Sequence, residues 1–166
     1  GILIAPGWSD IPAVAAVMKA KCTNINGHFR AIAIADLPTD TVTTYTKASE
    51  WKNQNNYVDT SLVAAWPMVS LGGQKYHLST QLSGVMNKTD AAHDDIPYYS
   101  PSNKNLQADS TVLKDGREVF LSNAQAAYLN GQGLITALNF IGGWRVWGNR
   151  TTAYPGNTDV KDAFLP

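Results

Sequence analysis

Short apolar runs alternate with stretches of helical periodicity in the first part of the chain. The runs at 2–5, 29–35 and 61–66 are almost wholly apolar, which is typical of strands buried in a sheet. Between them, apolar residues recur at helical spacing up to Cys22 and again, among several threonines, over 42–51. The order strand, helix, strand, helix, strand predicts a βαβ core with a parallel sheet and right-handed crossovers.

Short polar residues mark where these helices are expected to begin, because their side chains cap helix N termini. Ser9 or Asp10 is predicted to cap the first helix, with Pro12 in its first turn. Thr39 or Asp40 is predicted to cap the second.

The pattern changes in the second half of the chain. It predicts a short helix over 79–90, a turn-rich loop over 94–105 and a helix capped by Ser122–Asn123 that runs through Leu129. The β-like runs 134–141 and 144–152 then flank Gly142–Gly143. A Gly-Gly pair favours a two-residue turn in which both residues have positive φ, so we expect a β-hairpin here. The tail from Tyr154 is predicted to be loop with a short helical piece.

These elements together predict the α/β class. We expect a three-layer, mostly parallel sheet with flanking helices and an appended C-terminal β-hairpin, in one domain over residues 1–166. The chain starts directly at the strand-like run 2–5, without an initiator Met, so we interpret it as a fragment of a longer protein.

Composition narrows the functional classes. The chain carries 13 basic and 13 acidic residues, and its charged fraction is 16%, against a usual value of about 25%. Nucleic-acid binding needs many Lys and Arg contacts to phosphate, so this composition is poorly matched to it. No apolar run reaches the roughly 18 residues of a membrane span. Cys22 is the one cysteine, which excludes an internal disulfide, and we expect it in the core.

Two places carry candidate chemistry. Asp36 follows a buried strand, where α/β enzymes often place catalytic residues, although an Asp there also forms local capping bonds. The stretch Asp90–Asp95 (DAAHDD) gathers three carboxylates and His93, either as a metal site or as a solvated acidic turn. The sequence has no glycine-rich phosphate loop and no nucleophile elbow. We therefore expect no cofactor and no metal, and keep as the alternative an α/β enzyme or ligand-binding domain with its site at Asp36 and Asp90–Asp95.

Seven short motifs stand in order along nearly the whole chain. They are Pro6–Gly7 after the opening strand, Asp36 before Pro38, Trp66–Pro67, Ser83–Gly84 followed by Asp90, Pro101 with Asn103, Leu129–Asn130 before Gly133, and Trp147–Gly148 with Arg150 and Thr151. In this order they resemble the central region of phage contractile tail sheath proteins, and the last motif is the most specific. The chain departs from the family at 86–88, where Met, Asn and Lys stand in place of an Ala-Gly and Ala-Arg pattern.

The resemblance implies a structural role without catalytic residues. Sheath subunits pack in rings around a tail tube, assemble in an extended high-energy state, and contract to drive the tube through the host envelope for genome ejection. Terminal arms, which lie outside this chain, link neighbours by adding strands to each other's sheets. The implied partners are neighbouring sheath subunits and the tail tube protein, without nucleic acid or membrane insertion. The implied location is the virion, after assembly in the bacterial cytoplasm, and the isolated core is expected to be a monomer.

Two side chains of the last motif carry their own expectations. We expect Trp147 to be buried, either locking a terminal strand to the core or simply packing within it. We expect Arg150 to form an ion pair within the subunit.

Overall fold

A computed structural model describes residues 1–165. In this range the strands are β1 Ile2–Ile4, β2 Ile32–Asp36, β3 Leu62–Ala65, β4 Met68–Leu71, β5 Gln74–Tyr76, β6 Ser110–Val112, β7 Thr136–Phe140 and β8 Gly143–Trp147. The helices are α1 Pro12–Cys22, α2 Tyr45–Gln54, α3 Leu78–Ala91, α4 Asn123–Gly131 and α5 Val160–Ala163.

The predicted parallel core is present. β1, β2 and β3 form a parallel sheet in that order, with Ile2 opposite Ile32 and Ala33 opposite Leu62. α1 and α2 connect the successive strands. A parallel bridge between Ala65 and Ile135 then joins the start of the hairpin to β3. The α/β class is therefore confirmed.

Both faces of the sheet are covered, because side chains alternate along β2. Ala33 and Ala35 point into an apolar cluster shared with α1, α2 and α4. Ile34 points into a second cluster, shared with α3 and the β7–β8 hairpin. The small alanines let the helices approach one face closely, and the result is the expected three layers.

The hairpin is confirmed, but its turn lies one residue earlier than predicted. Phe140 pairs with Gly143, so the turn residues are Ile141 and Gly142 rather than Gly142 and Gly143. Ile141 has φ of +50° and Gly142 of +72°. A β-branched residue is unusual at positive φ. The hydrophobic register of β7 overrides the glycine preference, because Ala137 and Leu138 must stay buried.

A second, antiparallel sheet was not predicted. It has the order β5-β4-β6, and its pairing is antiparallel, as is that of the β7–β8 hairpin. β5 and β6 are 3 residues each, too short for alternation to be visible in the sequence.

Two predicted helix caps are wrong. α1 is preceded by Ile11, which makes no side-chain cap, and α2 is capped by the Thr44 hydroxyl. Ser9 is instead buried in the interior. The cap of α4 is confirmed, since Ser122 and Gln125 form a reciprocal capping box.

Cys22 is buried and forms no disulfide, as expected. In residues 1–165 we find no helix with the length and apolar character that a bilayer span needs.

Candidate functional site

The Asp36 carboxylate is the centre of a buried polar cluster at the end of β2. Its Oδ1 accepts a hydrogen bond from the Ser79 backbone amide at 2.9 Å. Its Oδ2 accepts from the hydroxyls of Ser79 at 2.5 Å and Ser9 at 3.3 Å. His77 Nδ1 lies 3.8 Å from the same oxygen. We call Ser9, Asp36, His77 and Ser79 the carboxylate cluster.

This geometry makes Asp36 a helix cap supplied from another element. α3 begins at Leu78, and the preceding His77 makes no capping bond with its side chain. The Asp36 carboxylate takes its place and binds a free amide of the first turn, where the helix dipole also favours a negative charge. The cap is therefore not the local one considered from the sequence, since Asp36 and Ser79 are 43 residues apart.

The hydrogen bonds from Ser79 and Ser9 use both oxygens of the Asp36 carboxylate. Burial raises the pKa of Asp36, while the hydrogen bonds from Ser79, the charge of His77 and the Ser9 hydroxyl oppose this rise. Both carboxylate oxygens already hold protein donors, so a substrate would have to displace them. The geometry supports a structural role for this aspartate.

The acidic stretch at 90–95 forms the C-terminal turn of α3. The Asp90 carbonyl accepts the amides of His93 and Asp95. His93 is held by the Thr89 carbonyl at 2.7 Å and stacks on Tyr99 at 3.6 Å. No group of three metal-ligating side chains converges here or elsewhere in residues 1–165.

The structure keeps the two parts of the predicted enzyme site apart. Asp36 caps the start of α3, whereas Asp90 stands at its end, and the helix has 14 residues. At 1.5 Å per residue, roughly 20 Å of helix separates them. The fold therefore does not bring Asp36 and the Asp90–Asp95 stretch together in one active site.

A second polar cluster lies where the hairpin meets α4. In the orientation that satisfies its amide, the Asn130 side chain donates to the carbonyls of Trp147 at 2.9 Å and Leu134 at 3.0 Å. Gly148 has φ of +119°, and a Cβ at this position would overlap the Asn130 side chain. The lack of a side chain at Gly148 therefore makes room for the Asn130 amide. We call Asn130, Gly133, Trp147 and Gly148 the hairpin junction.

A buried lysine adjoins this junction. Gly133 has φ of +76°, and a Cβ there would overlap the Tyr154 carbonyl. The same carbonyl accepts a hydrogen bond from Lys52 Nζ at 3.2 Å. Lys52 is only 2% exposed, and burial lowers its pKa to about 8. Sequence reasoning missed Lys52; the available signal was its position four residues after Ala48, on the buried face of α2.

The last motif also contacts the C-terminal segment, through Thr151. The Thr151 amide donates to the Ala163 carbonyl, and its hydroxyl donates to the Asp162 carbonyl. The predicted ion pair of Arg150 is wrong within residues 1–165. Its guanidinium instead stacks on the Tyr154 ring, 4.1 Å from the centroid.

Trp147 is half-buried rather than buried, and it packs against Phe140 with the ring centroids 5.0 Å apart. The fully buried tryptophan is Trp66, whose ring nitrogen donates to the Val42 carbonyl at 2.9 Å.

The other motif residues lie in loops next to strands, with one exception. Gly7 lies in the turn after β1, beside His77. Pro6 precedes it, and Pro67 is buried directly after β3. Pro101 is buried, and the Asn103 amide donates to the Val146 carbonyl at 2.7 Å. The exception is Ser83–Gly84, mid-helix in α3, where a Cβ on Gly84 would meet open space.

The chain is similar to known proteins over nearly its whole length. No family model matches the chain. The chain is 29% identical over 170 aligned positions to a protein of Pseudomonas aeruginosa (strain UCBPP-PA14) named "Putative prophage major tail sheath protein". The alignment covers 99% of this chain and 40% of that relative. The resemblance to tail sheath proteins is therefore confirmed.

A solved structure shares the fold. A chain in the cryo-EM structure of the anti-feeding prophage baseplate, 6-fold symmetrised, matches 98% of this chain with a TM-score of 0.65 and 21% identity. At this identity the match is evidence for the fold alone. This chain spans 40% of that chain as well, so it corresponds to about two fifths of either protein.

Proposed function

We propose that this chain is the structural core of a contractile tail sheath subunit in a phage or phage-like particle. Its copies pack in rings around a tail tube and contract to drive the tube through the host envelope. The observation that carries this proposal is the 29% identity to a protein with a tail sheath name across 99% of the chain.

The surface supports a role in assembly. Several large apolar side chains are more than half exposed, among them Trp8 at 66%, Phe29 at 65%, Phe120 at 83%, Ile141 at 80% and Val160 at 76%. A neighbouring subunit that covered these side chains would gain free energy from their burial. The low charged fraction of 16% points the same way.

The interior supports a subunit that moves as a rigid body. The Asp36 cap and the hairpin junction tie helices to strands by hydrogen bonds between distant residues. A contractile assembly needs contacts between subunits to exchange while each subunit keeps its fold, and packed bodies redock between discrete arrangements.

We propose further that the chain is one α/β domain of a longer subunit, and that the motif residues act as structural residues rather than catalytic ones. The partners would be neighbouring subunits and the tube protein, without nucleic acid or membrane insertion. The place would be the particle's tail, assembled in the bacterial cytoplasm. The occupied Asp36 carboxylate supports a non-enzymatic role.

Expression of the full-length protein together with its tube protein tests this function. Electron microscopy is expected to show tubes with a regular sheath around them, whereas this chain alone is expected to be monomeric by light scattering. A full-length protein that stays monomeric beside assembled tubes would contradict the proposal. Regular polymers formed by this chain alone would overturn the expectation that assembly needs the rest of the subunit.

A further inference from the structure

Arg150 lies against two aromatic rings. Its guanidinium carbon is 4.1 Å from the centroid of the Tyr154 ring and 5.6 Å from that of the Phe164 ring. The backbone fixes this arrangement, because Arg150 stands opposite Phe164 in an antiparallel bridge. Next to this bridge, the Leu165 amide donates to the Asn149 carbonyl at 2.6 Å. The fold therefore sets the position of a half-buried cation.

The rings leave the N–H groups of Arg150 without an acceptor. Arginine has five N–H donors in a planar fork, and an aromatic ring attracts the cation through its face. In residues 1–165 Arg150 forms no ion pair, and its side chain donates no hydrogen bond. Two other arginines differ in this respect. Arg117 Nε donates to Asp115 at 2.7 Å, and Arg145 Nη1 donates to the Asn103 carbonyl at 2.9 Å.

The carboxylates of the C-terminal segment bind other groups. Asp159 Oδ1 accepts the Lys161 amide at 3.1 Å. Asp162 Oδ2 accepts the side-chain amide of Asn157 at 3.2 Å. The segment that positions Arg150 therefore does not supply the anion that would complement it.

We propose that Arg150 binds a carboxylate side chain of a neighbouring subunit. A carboxylate matches the guanidinium fork with two parallel hydrogen bonds. A guanidinium is more weakly hydrated than an ammonium group, so it suits an ion pair from which a partner excludes water. The two rings already hold the fork in place, which lowers the conformational entropy lost on binding. This inference rests on the proposed assembly and identifies one of its contacts.

The charges of the chain favour a second copy as the source of this carboxylate. The chain carries 13 acidic residues. The ion pairs in residues 1–165 use Asp36, Asp59 and Asp115. Most carboxylates of each copy therefore form no ion pair within the described part of that copy. An ion pair across the interface would also determine which surfaces meet, because charge complementarity excludes wrong pairings.

Assembly of the full-length protein on tubes tests this contact. Arg150→Gln removes the cation, and we expect it to raise the protein concentration that sheathes half of the tubes by at least about tenfold. The control is Lys47→Gln, which removes one positive charge from an exposed position on α2 and is expected to change that concentration less than about twofold. Circular dichroism of the monomers checks that both variants fold. Equal effects of the two variants would contradict the proposal. If the unaltered protein does not assemble, the proposed function itself fails.

A zero-length cross-link identifies the partner independently. Arg150→Lys keeps the positive charge and places an amine at the contact, which a carbodiimide joins to a touching carboxylate as an amide. We expect assembled sheaths of this variant to give a covalent dimer of the subunit, with position 150 linked to an Asp or Glu of the second copy by peptide mass spectrometry. A link to the tube protein, or one within a single subunit, would overturn the assignment to a neighbour. Well-formed sheaths without any link at position 150 would overturn the contact.

Discussion

The carboxylate cluster and the surroundings of Lys52 beside the hairpin junction both bury an ionisable group, but the two groups have different hydrogen-bond partners. Asp36 is 5% exposed and accepts hydrogen bonds from one amide and two hydroxyls at a helix N terminus. Lys52 is 2% exposed and donates to one carbonyl, that of Tyr154. Burial shifts the pKa of both groups toward the neutral form, but the hydrogen bonds that Asp36 accepts oppose this shift, whereas Lys52 has one neutral acceptor. A buried ionisable residue is thus not by itself a sign of catalysis.

Tryptophan truncation separates the two regions most strongly. Trp66 is fully buried near the sheet end, whereas Trp147 at the junction is half-buried. We expect Trp66→Ala to lower the free energy of unfolding by about 3–5 kcal/mol, and Trp147→Ala by roughly half as much. Urea unfolding of both variants measures this. Equal losses would mean that burial does not distinguish the two rings.

Glycine substitution tests the close fit of the junction. Gly148→Ala would place a Cβ against Asn130 at a positive φ, so we expect a loss of about 3 kcal/mol from overlap and backbone strain. The control is Gly84→Ala in α3, where a Cβ meets open space and alanine favours the helix by about 1 kcal/mol. Thermal unfolding compares the two. A Gly148→Ala protein as stable as the unaltered chain would disprove the fit.

The pH dependence of stability reports on Lys52. Its pKa is about 8 in the folded chain and returns toward 10.5 on unfolding, so the unfolded chain binds more protons between these values. The contribution of Lys52 to stability therefore rises with pH across this window, by no more than about 3 kcal/mol.

Lys52→Met is the comparison for this measurement. Burial also raises the pKa of Cys22 and that of Tyr57, the latter to about 12, and these groups act in the opposite direction. They are common to both proteins, so the difference between the two pH profiles isolates Lys52. Parallel profiles between pH 8 and 10.5 would show that its amine is not desolvated.

Removal of the Asp36 cap is expected to cost about 2 kcal/mol, because Asp36→Ala leaves the Ser79 amide and two hydroxyls without an acceptor. Asp36→Asn keeps one acceptor oxygen and is expected to lose about half of that. Chemical denaturation ranks the two. If Asp36→Ala proved more stable than the unaltered chain, the carboxylate would destabilise the fold. That outcome would favour the alternative of an enzyme with its site at Asp36.

The smallest expected effect concerns the hairpin turn. Ile141→Asn is expected to stabilise the chain by about 1 kcal/mol, because asparagine tolerates the positive φ that isoleucine resists. Ile141→Val keeps the β-branch and serves as the control, with little change. Melting temperatures compare the three proteins. A destabilising asparagine would indicate that the exposed isoleucine makes contacts beyond its own turn.

The sequence by itself determined the elements whose signals are local. Apolar runs and helical spacing predicted the parallel core, Ser122–Asn123 predicted a capped helix, and the ordered motifs predicted the resemblance to tail sheath proteins. The signals for the core and for the capped helix can be read from the sequence because each depends on residues within a turn or two of one another.

Only the tertiary structure decided what the distant residues do. In the folded chain Asp36 binds Ser79, and Lys52 donates to the Tyr154 carbonyl. Gly148 lies against Asn130, and the hairpin turn begins at Ile141. Each of these outcomes depends on which buried surfaces meet. The free energy of burial can exceed the local conformational preference of a residue.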